Sequence, residues 1–255
     1  MRRLEIYLRA ALDLLLPRRC IVCGRKLYVR EDHLCLYCLS DMPLTRFWTM
    51  KHNPMADRFN AVLQHGLEKA LEEDECPGCS HERYVYASAL FFYDGEASYS
   101  HIPHQIKYHG NIPAGRYFGR MLGRKLIEAE WFRDVDLVIP VPLHWRRLWA
   151  RGYNQAEVIA SQVADVLGVP MRTDILKRTR YTVTQTKLGI QEKEKNVGGA
   201  FSVVAPPSAD AGHILILDDV FTTGSTLHAC FEALRAVFPP SVRISIATLA
   251  FVGDV

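Results

Sequence analysis

The stretch His213–Leu227, HILILDDVFTTGSTL, constrains the fold of this chain more than any other. Ile214 to Leu217 is a short continuous apolar run, the pattern of a strand buried on both faces of a parallel sheet. The run stops on two adjacent carboxylates, Asp218 and Asp219. A loop of hydroxyls around one glycine follows, and Thr226–Val237 reads as a helix, with Leu227, Phe231, Leu234 and Val237 at helical spacing. A loop entering a helix N-terminus is an anion site, because the first amides lack internal partners and the helix dipole is positive there. Thr222, Thr223, Ser225 and Thr226 add hydroxyl donors, and Gly224 lets the backbone approach a ligand or take a positive φ. No Lys follows the glycine and the stretch has no G-x-G-x-x-G, so it is neither a Walker loop nor a dinucleotide fingerprint. Two carboxylates would repel a bound phosphate unless they take sugar hydroxyls or a Mg²⁺ carried by the ligand.

The segment Asp218-Asp219-Val220-Phe221-Thr222-Thr223-Gly224-Ser225-Thr226 resembles the phosphoribosyl-pyrophosphate (PRPP) loop of type I phosphoribosyltransferases. The resemblance implies that the acidic pair binds ribose hydroxyls, and that Val220 and Thr222–Thr226 wrap the 5-phosphate. The alternative is a strand ending in an Asp that caps a helix.

With 255 residues the chain has core enough for one large domain or two smaller ones. A net charge of +3 is too small to argue for nucleic acid alone, and the positive charge clusters at Arg116–Lys125, Arg146–Arg151 and Lys177–Arg180. Met1–Leu16 is apolar but carries Arg2, Arg3, Glu5, Arg9 and Asp13, too short and interrupted a run to span a bilayer. Pro17-Arg18-Arg19-Cys20 follows in place of a small-residue cleavage site, which argues against a signal peptide. Leu4, Leu8, Leu12 and Leu15 share one helical face suited to a protein core. The expectation is a cytoplasmic protein without a transmembrane segment.

Of seven cysteines, six stand in C-x-x-C pairs, which points to metal in a reducing compartment rather than a disulfide scaffold. Cys20-Ile21-Val22-Cys23 and Cys35-Leu36-Tyr37-Cys38 are two knuckles that together supply a tetrahedral Cys₄ site for Zn²⁺. Four protein ligands leave no open position, so the metal is read as structural. In so small a segment, metal binding worth an apparent ~10–16 kcal/mol supplies much of the folding energy. The alternative is free thiols. The third pair, Cys76 and Cys79, is either the remnant of a second ribbon, a substitute for one of the first two pairs, or part of a second site with His65 and His81. Between the pairs, Phe59, Val62, Leu63, Leu67, Ala70 and Leu71 mark an amphipathic helix that starts after Asn53-Pro54.

Tyr84–Tyr93 is an aromatic-rich strand closed by Asp94-Gly95, so the chain divides into an N-terminal helix and zinc module over 1–83 and a second domain over 84–255. Glu96–Tyr108 reads as helical, and its neighbours His101, His104 and His109 as solvated or hydrogen-bonded rather than metal-binding. Pro113–Ala129 is a helix with Gly115, Gly119 and Gly123 on one face. Mid-helix glycine costs roughly 1 kcal/mol, so the stripe predicts close packing against the sheet. Asp136–Leu143 is a strand broken by Pro140 and Pro142, with an irregular exit. Arg146, Arg147 and Arg151 follow it before the helix Ala156–Leu167, making a second anion locus at a strand's carboxyl end. In an open α/β sheet both loci fall on one cleft. The polar run Lys177–Val197 reads as a lid over that edge, followed by strands at Ala200–Val204 and Ser241–Phe251.

The paired-proline string Ile139-Pro140-Val141-Pro142, the R-G-Y-N-Q string at Arg151–Gln155, the zinc knuckles and the acidic loop together resemble the ComF/GntX-type proteins. This phosphoribosyltransferase-like group is linked to competence and DNA uptake, and the resemblance runs from Cys20 to Phe251. It implies an α/β type I phosphoribosyltransferase fold, an open and mostly parallel sheet flanked by helices, with a small Cys₄ zinc-ribbon-like module. It implies Lys107 in the hood region, and Lys107, Pro142, Leu143, Arg146, Arg147 and Arg151 on the pyrophosphate side. A further family series is matched by Arg178, Gln185, Leu188, Asn196, Val197 and Phe201 in the flexible loop. Lys193 stands where that series has arginine, which keeps the charge but loses the bidentate fork.

The expected activity is PRPP binding and transfer, with pyrophosphate displaced from the ribose anomeric carbon by a nitrogen nucleophile. Asp218 and Asp219 hold the ribose, while Mg²⁺ and the arginines stabilise the leaving group. Such chemistry needs positioning more than a covalent nucleophile. A second expectation is a single-stranded-DNA-handling factor, in which Trp145–Tyr153 tracks phosphates with arginine and stacks bases on aromatics. The alternative for Trp145 and Trp149 is burial in the core. A third is a PRPP sensor whose output is a protein partner, such as DNA-uptake machinery.

Overall fold

The computed structural model describes residues 13, 16–72 (backbone only over 66–72), 83–93, 98–179, 199–205 and 211–253. Strands β1 (Ala87–Tyr93), β2 (Leu137–Pro140), β5 (His213–Phe221) and β6 (Arg243–Val252) form one sheet in the order β1-β6-β5-β2. Every pairing is parallel, with Ala87 opposite Ile246, Ile216 opposite Ile246, and Pro140 opposite Leu217. Two three-residue strands, β3 (Leu176–Arg178) and β4 (Phe201–Val203), pair antiparallel beside it.

The helices are α1 (Leu36–Ser40), α2 (Pro54–Glu72), α3 (His101–Tyr108), α4 (Ile112–Leu126), α5 (Trp145–Arg151), α6 (Gln155–Leu167) and α7 (Ser225–Arg235). Alternate residues of β5 serve opposite layers, as the pleat requires. Leu215 and Leu217 pack with Phe118 and Leu122 of α4 and Ile159 and Val163 of α6. Ile214 and Ile216 pack with Phe59 of α2 and Leu227, Phe231 and Leu234 of α7. Full burial of each such side chain contributes ~1.5–3 kcal/mol, so β5 is anchored from both faces. Among the described residues no helix is long and apolar enough to cross a membrane.

Several expectations need correction. The glycine stripe of α4 packs against α6, not against the sheet. A Cβ on Gly119 would stand 2.7 Å from the Ile159 carbonyl oxygen, and one on Gly115 would stand 2.8 Å from Val158. The strand at Asp136–Leu143 is only Leu137–Pro140, an edge strand where proline is tolerated. Residues 145–151, read only as an anion locus between strand and helix, form α5. His144 caps it by accepting the Arg146 N–H, and Gly152 closes it at φ +81°. The start of the supposed lid, Lys177 and Arg178, belongs to β3, paired to β4. The central strand runs on through Asp218 and Asp219, because its ladder to β6 continues at Asp218–Thr248 and Val220–Ala250. The helix over Met1–Leu16, Cys76, Cys79, His81, Gln185, Leu188, Lys193, Asn196 and Val197 fall outside the described residues, Asp13 and Leu16 excepted.

An open helix gains about 1 kcal/mol from Gly→Ala, but here the new methyl meets a backbone oxygen. Gly119→Ala is expected to lower stability by about 1–3 kcal/mol in urea unfolding; a gain contradicts the helix–helix contact.

Candidate functional site

The carboxyl ends of neighbouring strands β5 and β2 carry the two loci. Asp219 is buried and Asp218 half-buried. The Asp219 N–H donates to Asp218 Oδ1 at 2.8 Å. Lys107 Nζ, reaching in from the last turn of α3, lies 3.3 Å from Asp219 Oδ2. The charge of Asp219 holds the Lys107 ammonium above its usual range. Loss of hydration, and then the charge of Asp219, push the Asp218 carboxyl up well above the usual carboxylate range.

Beyond Phe221 the chain turns through Thr222–Gly224 into α7. Gly224 sits at φ +82°, and a Cβ there would stand 2.8 Å from the Phe221 ring, so the position demands glycine twice over. Thr223 Oγ1 and Ser225 Oγ are 2.7 Å apart, and the Ser225 N–H points to Thr223 Oγ1 at 3.4 Å. Thr222 is exposed, and Val220, Thr223, Ser225 and Thr226 are half-buried, so the loop is open and not sealed under neighbours.

On the β2 side, a cavity of about 400 Å³ is lined by Lys107, Tyr108, Arg147, Ala150 and Arg151. Lys107 joins it to the acid pair. Arg147 and Arg151 therefore line the same cavity as Lys107, while Arg146 lies over the exposed Trp145 ring at 5.2 Å and does not line it. Pro142 and Leu143 form the half-buried turn between β2 and α5. Arg178 on β3 is held below its usual range by burial, then by the charge of Arg147, which places both arginines in one electrostatic neighbourhood. Loss of hydration, then Arg146, Arg178 and Arg147, lower the His144 pKa and favour the neutral ring that caps α5.

The R-G-Y-N-Q string builds this corner. Tyr153 donates its hydroxyl to the Ile106 carbonyl of α3, and Arg151 donates to the Gln155 side chain. Asn154 donates to the Val141 carbonyl at 3.0 Å and caps α6 through the Ala156 N–H at 3.1 Å. Trp145 and Trp149 stand 64% and 87% exposed, so neither is a core residue.

In the N-terminal module, the sulfurs of Cys20, Cys23, Cys35 and Cys38 lie within 4.8 Å of one another. Cys23 and Cys35 sulfurs are 3.7 Å apart, close to the roughly 3.8 Å edge of a tetrahedron with 2.3 Å Zn–S bonds. The donor set and spacing fit structural Zn²⁺. Gly24 at φ +71° turns the first knuckle, and the buried Glu31 carboxylate accepts the Tyr28 and Leu36 N–H groups at 2.7 and 2.8 Å, fixing the approach to the second. The module is not detached: Tyr99 donates to the Cys38 carbonyl at 2.8 Å, and Val22, Leu34 and Met42 share the core of Phe91 and Phe118.

Arg58, on α2, is not singled out by its sequence context, yet its Nη1 donates to the carbonyls of Thr222 and Val252 at 3.3 and 3.0 Å. Nothing in the local pattern of Asp57-Arg58-Phe59 signals a partner 164 residues away.

Cys35→Ser is expected to lower the zinc content by about one equivalent per chain in elemental analysis; unchanged metal content contradicts the assignment.

The phosphoribosyl transferase domain family matches residues 154–254, and the double zinc ribbon domain family matches residues 11–48. Competence protein F of Haemophilus influenzae is 26% identical over 230 residues, covering 89% of this chain and 94% of that protein. DNA utilization protein YhgH of Escherichia coli K12 is 27% identical over 199 residues, covering 76% of this chain and 87% of that protein. Adenine phosphoribosyltransferase of Leishmania tarentolae aligns over 64% of this chain and 78% of its own, at 14% identity and a TM-score of 0.31. The chain is a homologue of Competence protein F and YhgH that joins a zinc ribbon to a phosphoribosyltransferase-type α/β domain.

Proposed function

We propose that this protein binds PRPP at the Asp218–Thr226 edge and serves DNA uptake in the cytoplasm. The observation that carries the reading is the open hydroxyl loop at the start of α7, preceded by an acid pair and flanked by the cavity of Lys107, Arg147 and Arg151. In this reading Asp218 and Asp219 accept the ribose hydroxyls and Thr222–Thr226 donate to the 5-phosphate. The cations of the cavity take the pyrophosphate. During transfer, the bond from the anomeric carbon to a pyrophosphate oxygen breaks and a bond to a nitrogen nucleophile forms, so negative charge grows beside those cations. The names of the two relatives, competence and DNA utilization, support the physiological setting. The proposed division at residues 83 and 84 leaves α2 with the zinc module in sequence, while its Phe59 face lies on the sheet.

The acid pair does not form a metal cage of its own. Asp219 is engaged by Lys107, and one Asp218 oxygen accepts the Asp219 N–H. Mg²⁺ fits this site as a passenger on the pyrophosphate, where it would neutralise the leaving group.

Isothermal titration with PRPP and Mg²⁺ tests the reading. Wild type is expected to bind, and Asp218→Asn/Asp219→Asn to weaken binding about 10- to 100-fold, the worth of hydrogen bonds to charged groups. Absence of wild-type binding at millimolar ligand contradicts it.

The exposure of Trp145 and Trp149 beside three arginines favours a second role in holding single-stranded DNA. Affinity in gel shifts is expected to fall with salt, by a slope of about −0.7 per phosphate contact. Trp149→Ala is expected to cost about 5- to 100-fold through lost stacking. A shift indifferent to both salt and tryptophan removes this role.

A further inference from the structure

We propose that Arg58 of α2 is the positioning residue of the PRPP loop, holding it so that its amides face the 5-phosphate; this rests on the PRPP reading of that loop. Its Nη1 bridges the Thr222 and Val252 carbonyls at 3.3 and 3.0 Å, which stand at the carboxyl ends of adjacent strands β5 and β6. One guanidinium nitrogen thus pins the loop's first residue to the sheet edge. A trans peptide points its C=O and N–H in opposite directions, so the Thr222 carbonyl turned toward Arg58 directs the Thr223 N–H away from α2, where a phosphate can take it.

The next residue supports the loop from beneath. Phe59 is fully buried, packs on Phe231 of α7 at 5.9 Å, and lies 3.6 Å from where a Gly224 Cβ would be. Consecutive residues of α2 therefore hold the rim and the floor of one anion loop. Arg58 itself is exposed, lies over the Phe251 ring at 5.0 Å, and has no carboxylate partner among the described residues. The phosphoribosyl transferase match begins at residue 154, so this support comes from a helix outside it. The segment after the zinc module thereby acts on the sugar-phosphate end of the site, opposite the cations of the α5 cavity.

The two ends can be separated by ligand. Arg58→Ala is expected to weaken ribose 5-phosphate about tenfold, through loosening of the loop amides that take the phosphate, and to leave pyrophosphate affinity within about twofold. Arg58→Lys keeps the charge without the fork and is expected to fall between. Without ligand, hydrogen exchange at Thr223–Thr226 is expected to quicken severalfold in Arg58→Ala while the melting temperature holds. Unchanged loop exchange overturns the positioning role. Unchanged ribose 5-phosphate affinity, or equal weakening of both ligands, overturns the link from Arg58 to the phosphate end of the site. If wild type binds neither ligand, the PRPP reading fails, and the exchange measurement still decides whether Arg58 holds the loop.

Discussion

Lys107 and Asp219 meet at 3.3 Å where α3 closes over the carboxyl end of β5, and the site depends on that contact. Two adjacent carboxylates at a buried strand end are unfavourable as anions, since removing an ion from water costs several kcal/mol and like charges add to it. The ammonium faces Asp219, while loss of hydration and then the charge of Asp219 push the Asp218 carboxyl up. The same ammonium lines the arginine cavity. One side chain thus joins the acid pair to the arginine cavity.

The neighbouring cations are crowded for the same reason. The charge of Arg147 bears on the buried Arg178 guanidinium, and burial and then Arg146, Arg178 and Arg147 hold the His144 ring below its usual range. A concentration of like charge beside a half-open cavity is costly in the free protein and favourable once a polyanion arrives. The scaffold that holds it is stiff: β5 is clamped from two layers, α4 and α6 touch backbone to backbone through Gly119, and Asn154 ties α6 to the end of β2.

The acidic loop and the zinc knuckles were legible because each carries its chemistry within one contiguous stretch. Strand, acids, hydroxyls and helix follow one another from His213 to Leu227, and each C-x-x-C closes on itself. What escaped was set by distant partners. The glycines of α4 announce close packing, but only the fold says that Val158, Ile159 and Val166 are the neighbours. α5 has no buried apolar face to give it a period, with Trp145, Leu148 and Trp149 all exposed. β3 is three residues long, too short for alternation to register. Arg58 looks like any solvated arginine on an amphipathic helix until β5 and β6 bring two carbonyls to it.

Amide chemical shifts followed during titration with ribose 5-phosphate test the central claim most directly. The largest changes are expected at Thr223, Gly224, Ser225 and Thr226, the amides that would take the phosphate. Changes confined to other surfaces, with these four amides unmoved at saturation, would contradict it.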